Sequence, residues 1–372
     1  MTTIQPGKRT GSVTIPRSKS HEHRLLVADF LAGDYSRLAP AEGDSEDIIA
    51  TKRCLEALKG DSQLAILDCG ESGSTRRFLA PVAAALGKSV TFLTRGRLSE
   101  RPQLDYSNLK SGLHELAGDI SSQFVTGLLF ALPLLEGDSQ IRFTTPLESR
   151  GYVDMTLRVL SGAGIYVAIR DDGFDIPGGQ KYIPQPDAKV ELDWSGAAFW
   201  YAMNSMGSLV MFEKPDAHSS QPDRAIVELA PRIASAWKGE NVDVSVSGCP
   251  DLFPALAVLA GASAGVTRFS GTRRLKLKES DRVSAMADVL KRFGVDTEVD
   301  DDSFLVRGEG GKFDGGEFHA FDDHRIAMAI AVGATIADGP VEIDNTECAA
   351  KSYPGFFDEF ARLPARSGHG NG

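Results

Sequence analysis

One pattern recurs along this chain of 372 residues: a β-rich run, a polar cluster, an apolar helix-like stretch, a glycine-containing turn and another β-rich run. That alternation constrains the fold strongly, because strands and apolar helices taken in turn bury their faces together in layered α/β arrangements. One copy runs from Gly11-Ser12-Val13-Thr14-Ile15 through the polar stretch Ser18 to Arg24 into Leu25-Leu26-Val27-Ala28-Asp29-Phe30-Leu31, where Gly33 stops it. Another begins at Gly70-Glu71-Ser72-Gly73-Ser74-Thr75 and continues through Phe78, Leu79, Val82 and Leu86 to Gly87. The design returns with Ser121-Ser122-Gln123 before Phe124, with Ser195-Gly196 before Ala197, and twice near the C-terminus. Turns such as Glu136-Gly137-Asp138 and Asp338-Gly339-Pro340 lead into Ile141-Arg142-Phe143 and Val341-Glu342-Ile343. Recurrence of one supersecondary unit predicts an internally repeated α/β architecture.

The length suggests two domains or one large one. A 42% hydrophobic and 24% charged composition is that of a folded, enzyme-sized protein. No apolar run reaches the roughly 18 residues of a membrane span, and Met1-Thr2-Thr3-Ile4-Gln5-Pro6 lacks a signal peptide's apolar core, so a cytoplasmic location is expected. Cys54, Cys69, Cys249 and Cys348 show no CxxC and no Cys/His ligand spacing, which argues against zinc and against a disulfide framework. The formal net charge of −11 argues against a nucleic-acid partner. Anionic small molecules remain open, because a few converging cations create a local field that outweighs distant, screened charge. Candidate domain breaks are Tyr182-Ile183-Pro184-Gln185-Pro186 and the region of Arg17, and the polar, Gly-rich stretch 366–372 is expected to fray.

Several clusters carry chemistry. Ser18-Lys19-Ser20 with Arg24 sets two cations and two hydroxyls at a strand-to-helix junction, where free backbone amides and side chains can meet one anion, or where Ser merely caps a solvated helix start. Gly70 to Arg77 reads either as a close-approach anion loop or as a tight turn with Ser or Thr capping; it is not a P-loop. Glu100-Arg101-Pro102 adds an Arg at a stiffened turn. Lys278-Glu279-Ser280-Asp281-Arg282 puts a carboxylate among cations just before Val283, Met286, Val289, Leu290 and Phe293, which have helical spacing. A carboxyl group there can transfer a proton if anionic substrate nearby disfavours its ionisation. Asp322-Asp323-His324-Arg325 opens a nearly uncharged helix, as an anion site or as a structural Asp323–Arg325 ion pair. Asp251, in Gly248-Cys249-Pro250-Asp251, can act as a base or cap the helix that follows.

Taken in order, these residues resemble the 5-enolpyruvylshikimate-3-phosphate synthase family, the 3-phosphoshikimate 1-carboxyvinyltransferases. The resemblance rests on the clusters above together with Ser121-Ser122-Gln123-Phe124, Ser149 with Tyr152, Pro250-Asp251 and Ala350-Lys351-Ser352, and spans nearly the whole chain. It implies an α/β fold of two globular domains of repeated βαβαββ units with the active site in the cleft between them. The first domain would be discontinuous, residues 1–15 with 192–365, and the second would be 16–191. The implied reaction moves the enolpyruvyl group of phosphoenolpyruvate onto the 5-hydroxyl of shikimate 3-phosphate and releases phosphate, without metal or organic cofactor.

Residue by residue, the resemblance makes Asp251 the base and Glu279 the acid, with Lys19 sharing proton handling and binding phosphoenolpyruvate. Gly73, Arg101, Arg282, Arg325 and Lys351 would contact phosphoenolpyruvate. Ser20, Arg24, Ser121, Ser122, Gln123, Ser149, Tyr152 and Lys278 would hold shikimate 3-phosphate, with Gln123 also near the second substrate. A monomer is expected, sensitive to glyphosate because Gly73 leaves room at the phosphoenolpyruvate position. Two features depart from the family pattern: the stretches Lys19 to Gly73 and Arg101 to Ser121 are each short by roughly one or two elements of ~5–12 residues, and Glu71 adds negative charge beside an anion loop. The competing readings are an enolpyruvyl transferase acting on a UDP-linked amino sugar and a catalytically silent anion-binding homologue.

Overall fold

The computed structural model describes residues 1–60 and 62–366. Of the stretch expected to fray, residues 367–372 lie outside the described residues; Arg366 is tied down, its amide donating to the Lys8 carbonyl at 2.7 Å. The chain divides into two compact units, Met1–Pro16 with Leu192–Gly372 and Arg17–Glu191, so the second is inserted in the sequence of the first.

In the first unit, strand Asn241–Ser245, helix Phe253–Ala262, strand Val266–Ser270, helix Arg282–Arg292 and strands Asp296–Val299 and Ser303–Arg307 form one βαβαββ repeat. Its two helix-linked strands pair in parallel, as a helical crossover requires, and the last strand returns antiparallel between its own hairpin partner and Val266–Ser270. Strand Gly316–Phe318 and strand Val341–Ile343 pair in parallel around helix His324–Ala334, and Thr2–Ile4 closes that sheet antiparallel. Strand Thr10–Ser12 pairs with Leu209–Met211, and Val13 extends the contact by donating to the Met211 carbonyl at 3.0 Å.

The second unit repeats the first pattern. Strand Gly112–Ala117, helix Ser122–Ala131, strand Ser139–Thr145, helix Arg150–Gly162 and strands Ala168–Arg170 and Gly173–Ile176 have the same order and the same parallel and antiparallel pairings. Its other sheet has, among the described residues, two strands, Leu64–Gly70 and Ser89–Thr94, joined through helix Gly73–Ala85. Between helix Lys19–Leu31 and helix Glu46–Leu58 the chain makes a single 3-10 turn, Ser36–Leu38, and between Arg101 and Ser121 it forms only strand Gly112–Ala117.

Each unit has its own core, and each core is built around helices that are apolar on every side. All 11 residues of His324–Ala334 are buried, as are Phe253 to Gly261 and Phe124 to Ala131. Small residues allow the close approach. A Cβ on Gly333 would stand 2.7 Å from the Phe293 ring, which itself stacks on Phe313 at 4.6 Å between centroids. Full burial of side chains such as Ile326, Met328, Ile330 and Val332 contributes about 1.5–3 kcal/mol each. Among the described residues no helix is long and apolar enough to cross a membrane.

The polar clusters do not precede their helices, as their sequence positions suggest; they form the first turns. Ser18 caps Lys19–Leu31, Ser72 caps Gly73–Ala85, Ser121 caps Ser122–Ala131, Asp281 caps Arg282–Arg292 and Asp323 caps His324–Ala334, each side chain accepting from a backbone amide two or three residues on. The shift has a physical reason: Ser and Asp satisfy orphan amides best when placed immediately outside the first turn, which brings the next polar residues inside it.

Candidate active site

Each unit carries polar clusters of its own at its helix starts. In the first unit, Asp251 lies in the short 3-10 turn Pro250–Leu252, whose following helix has no side-chain cap, so Asp251 is not a cap. Its carboxylate is gripped by three cations. Oδ1 accepts from Lys278 Nζ at 3.3 Å and Arg282 Nη1 at 2.8 Å, and Oδ2 accepts from Arg325 Nη2 at 3.0 Å. Burial alone would raise its pKa, but Arg325, Lys278 and Arg282 outweigh that and hold the carboxyl well below the usual carboxylate range.

Arg282 organises the cluster. Its guanidinium, buried in the first turn of Arg282–Arg292, also donates to Glu279 Oε2 at 2.9 Å and to Asp323 Oδ2 through Nε at 2.8 Å. Ser280 adds a hydroxyl donor to the same Asp323 oxygen at 3.0 Å. Asp323 therefore pairs with the side chain of Arg282, not with that of Arg325 as the ion-pair reading has it; it holds Arg325 only by accepting from that residue's amide at 3.0 Å. The cause is local geometry: a capping carboxylate faces the amides of its own first turn, and the Arg325 side chain leaves that turn toward Asp251. Burial pushes the Lys278 pKa down, with Asp251 opposing and Arg282 adding to the depression. Lys351, also buried, ends the 3-10 turn Thr346–Lys351.

The backbone entering this cluster is strained. Phe321 and Asp322 both hold left-handed conformations, φ +54° and +53°, immediately before the Asp323 cap. Asp344 accepts from the Ala320 amide at 2.6 Å and Asn345 donates to Asp322, so neighbouring polar groups hold the strained pair in place.

In the second unit, Lys19 opens its helix and pairs through Nζ with Asp47 Oδ2 at 2.8 Å. Arg24, one turn on, is buried and donates to Thr156 Oγ1 at 2.8 Å, the Ser20 carbonyl at 2.5 Å and the Tyr152 carbonyl at 3.0 Å. Its guanidinium lies over the Phe78 ring, 5.2 Å from the centroid. All these partners are neutral, and burial lowers its pKa to about 10, so a bound anion would relieve a buried charge that pairs with no carboxylate among the described residues. Ser149 holds φ +53° at the start of Arg150–Gly162, beside Tyr152.

Gly73 is the first residue of its helix. A Cβ there would stand 3.2 Å from Arg77 Nη1 and 3.3 and 3.4 Å from the two terminal nitrogens of Arg101, so two guanidinium groups flank a backbone that only glycine leaves open. Arg77 donates through Nη1 to Gln123 Oε1 at 2.6 Å and through Nη2 to the Pro102 carbonyl at 3.1 Å, and Gln123 Nε2 donates to Ser74 Oγ at 2.9 Å. Ser121 is engaged as a cap on the Gln123 amide at 3.3 Å, and Ser122 is buried in the first turn. Glu71 lies against Gly96, where φ is +53° and a Cβ would collide with its carboxylate.

Asp47, Arg77 and Ser280 belong to these networks without having been assigned roles from the sequence, and Asp323 was read there only as an ion-pair partner of Arg325. Arg77 and Asp323 stand inside clusters noted there. Asp47 carries only the weak signal of a second acidic residue after the Ser45 cap of Glu46–Leu58. Among the described residues no group of three or more His, Cys, Asp and Glu is arranged to hold a metal ion.

Helix starts that gather Ser, Lys and Arg on repeated βαβ units describe a class: an α/β enzyme fold with anion-binding helix N-termini. Two solved structures share the fold. The EPSP synthase from Acinetobacter baumannii matches with a TM-score of 0.74 over 98% of both chains at 23% identity, and the enolpyruvyl transferase NikO from Streptomyces tendae with 0.71 over 98% of this chain and 97% of that one at 14% identity. The family model for EPSP synthase (3-phosphoshikimate 1-carboxyvinyltransferase) matches residues 97–360. The 3-phosphoshikimate 1-carboxyvinyltransferase of Clostridium kluyveri is 38% identical over 417 aligned positions, covering 97% of this chain and 96% of that protein, and one from Clostridium perfringens is 35% identical over 97% of each. This chain belongs to the EPSP synthase family. Because 417 aligned positions exceed its 372 residues, at least 45 positions of the Clostridium kluyveri protein face gaps in it.

Proposed function

We propose that this protein transfers the enolpyruvyl group of phosphoenolpyruvate to the 5-hydroxyl of shikimate 3-phosphate and releases inorganic phosphate, a step of the shikimate route to aromatic amino acids. The observation that carries the reading is 38% identity across 97% of the chain to a protein of that name. A UDP-amino-sugar acceptor is not favoured, since the two Clostridium relatives described above carry the shikimate name.

In this reading the 5-hydroxyl attacks C2 of phosphoenolpyruvate while its proton passes to Asp251 and Glu279 protonates the methylene carbon. The tetrahedral adduct then returns a methyl proton to the Glu279 carboxylate and expels phosphate, forming the enol ether of the product. Asp251 gripped by three cations is a weak base. Anionic substrate that draws on Arg325 and Lys278 loosens that grip and raises its proton affinity as the reaction needs it. Lys19 shares the proton handling, and Gly73, Arg101, Arg282, Arg325 and Lys351 take the anionic groups of phosphoenolpyruvate. Ser20, Arg24, Ser121, Ser122, Gln123, Ser149, Tyr152 and Lys278 take shikimate 3-phosphate. Fixed cations act here by stabilising charge that builds on the leaving phosphate.

The test is phosphate release with both substrates together, with each alone, and with a UDP-amino-sugar acceptor, without added metal. Release that requires the shikimate pair supports the proposal. A folded sample that binds both substrates without turnover is a silent homologue, and release with the UDP-sugar alone moves the assignment. The same reading carries a cytoplasmic monomer and competitive inhibition by glyphosate, checked by size-exclusion chromatography and by inhibition at varied phosphoenolpyruvate.

A further inference from the structure

Three helices of the second unit are joined near their N-termini by buried polar side chains to which the reaction assigns no role: His23, Thr51, Thr75 and Ser72. Helices Lys19–Leu31 and Glu46–Leu58 are tied by two links. Lys19 Nζ meets Asp47 Oδ2 at 2.8 Å, and four residues further along each helix His23 Nδ1 meets Thr51 Oγ1 at 2.8 Å. Residues four apart share a helix face, so the two links lie one above the other. The third helix, Gly73–Ala85, joins at Thr51, whose Oγ1 lies 2.6 Å from Thr75 Oγ1. Thr75 Oγ1 in turn donates to Ser72 Oγ at 2.7 Å. His23 also touches that helix directly, its ring set edge-to-face with Phe78 at 6.2 Å between centroids.

Counting protons gives the chain a direction, because each hydroxyl has one to donate. Thr75 gives its proton to Ser72, so the 2.6 Å contact is a hydrogen bond only if Thr51 donates to Thr75. The Asp47 carbonyl, 3.1 Å from Thr51 Oγ1, is the longer and weaker competitor for that proton. Thr51, with its proton engaged, accepts from His23, which places the imidazole hydrogen on Nδ1. Nε2 is then a bare acceptor, and it is buried without a hydrogen-bond partner among the described residues. A hydrogen on Nε2 would be an orphaned buried donor and would leave the 2.6 Å contact without a proton. Burial lowers the pKa of this ring to about 3, which keeps it neutral with a single hydrogen.

Ser72, where the chain ends, caps Gly73–Ala85 by accepting from the Thr75 amide at 3.3 Å. We propose that His23, acting through Thr51 and Thr75, is a positioning residue: its Nδ1–H begins a one-way chain of hydrogen bonds that fixes the Ser72 cap, and with it the Gly73 backbone, relative to Lys19. The role rests on the reading in which Lys19 and Gly73 meet phosphoenolpyruvate. Bonds of set length and direction hold helix starts in register where apolar packing alone lets them slide. Arg24, assigned to shikimate 3-phosphate, is held instead by Thr156 and the Tyr152 carbonyl of helix Arg150–Gly162, so that substrate does not depend on the chain.

Thr51→Val cuts the chain at its middle while keeping the side chain's shape, and Thr51→Ser keeps the hydroxyl. In Thr51→Val, KM for phosphoenolpyruvate is expected to rise at least ~5-fold, with kcat and KM for shikimate 3-phosphate changed less than about 2-fold, and Thr51→Ser is expected to restore it. Loss of activity that only follows the folded fraction, or both KM values rising together, would overturn the positioning role. Independently of turnover, long-range proton–nitrogen NMR spectra of the wild-type chain labelled at histidine, with the His23 signals assigned by their loss in His23→Asn, are expected to show the hydrogen on Nδ1. A hydrogen on Nε2 would overturn the chain even if Thr51→Val does not fold. A wild-type chain that releases no phosphate sinks the underlying reaction, whereas turnover with an unchanged KM in Thr51→Val sinks the positioning role alone.

Discussion

At the scale of single residues, the candidate site depends on which charges share a partner. Asp251→Asn and Glu279→Gln are each expected to lower turnover by at least ~100-fold while the chain stays folded, read by kcat beside circular dichroism. Asp251→Asn should also lower the unfolding temperature, because Lys278, Arg282 and Arg325 lose their shared anion, whereas Glu279 is held by Arg282 across a single turn. Gly73→Ala is a different kind of change. Its methyl would press on the Arg77 and Arg101 guanidinium groups, so KM for phosphoenolpyruvate should rise about tenfold with kcat little altered; an unchanged KM would remove Gly73 from the anion site. Most of these residues were legible as types at helix starts. Asp47 was not, because its pairing with Lys19 joins residues 28 apart that meet only when two helices pack.

At the scale of elements, one capping residue can carry a helix alone or a helix and a site together. Asp281 caps Arg282–Arg292 through the amides of Val283 and Ser284, and Asp281→Ala is expected to cost about 1 kcal/mol in denaturant unfolding. Asp323 caps His324–Ala334 and is also the buried counter-ion of Arg282, so Asp323→Ala should cost roughly 3–5 kcal/mol. Equal losses would mean that the Arg282 pair adds nothing beyond the cap. The facing helices Gly73–Ala85 and Ser122–Ala131 approach so closely that a Cβ on Gly127 would overlap the Arg77 carbonyl. Gly127→Ala is therefore expected to destabilise by about 1–3 kcal/mol and to misalign Arg77 against Gln123, raising KM more than a surface substitution of equal stability cost.

At the scale of the whole molecule, acid sensitivity has an identifiable source. His23 is buried in the second unit with Nδ1 against Thr51 Oγ1 at 2.8 Å, and burial lowers its pKa from an ordinary 6.5 to about 3. The unfolded chain thus binds a proton below pH 6.5 that the folded chain refuses until near pH 3. Stability is full above 6.5 and falls as pH drops through that window, by about 2 kcal/mol between pH 7.5 and 5. His23→Asn should flatten that slope in urea titrations at the two pH values; an unchanged slope would assign it to other groups. Asp251 works in a lower window: its depressed pKa contributes stability above the ordinary carboxylate range and loses it only in stronger acid.

Helix starts, their caps and the all-apolar helices could be read from the order of residues, because a cap and its amides lie within three positions of each other and an apolar run needs no partner to be recognised. The family resemblance came from the same local clusters. Which cation meets which carboxylate was decided only in three dimensions: Arg325 reaches Asp251 across 74 positions and Arg282 reaches Asp323 across 41, joined by strand order and not by spacing. The two-stranded sheet of the second unit was likewise a tertiary outcome, since a strand's partners are set by which segments remain to pair with it.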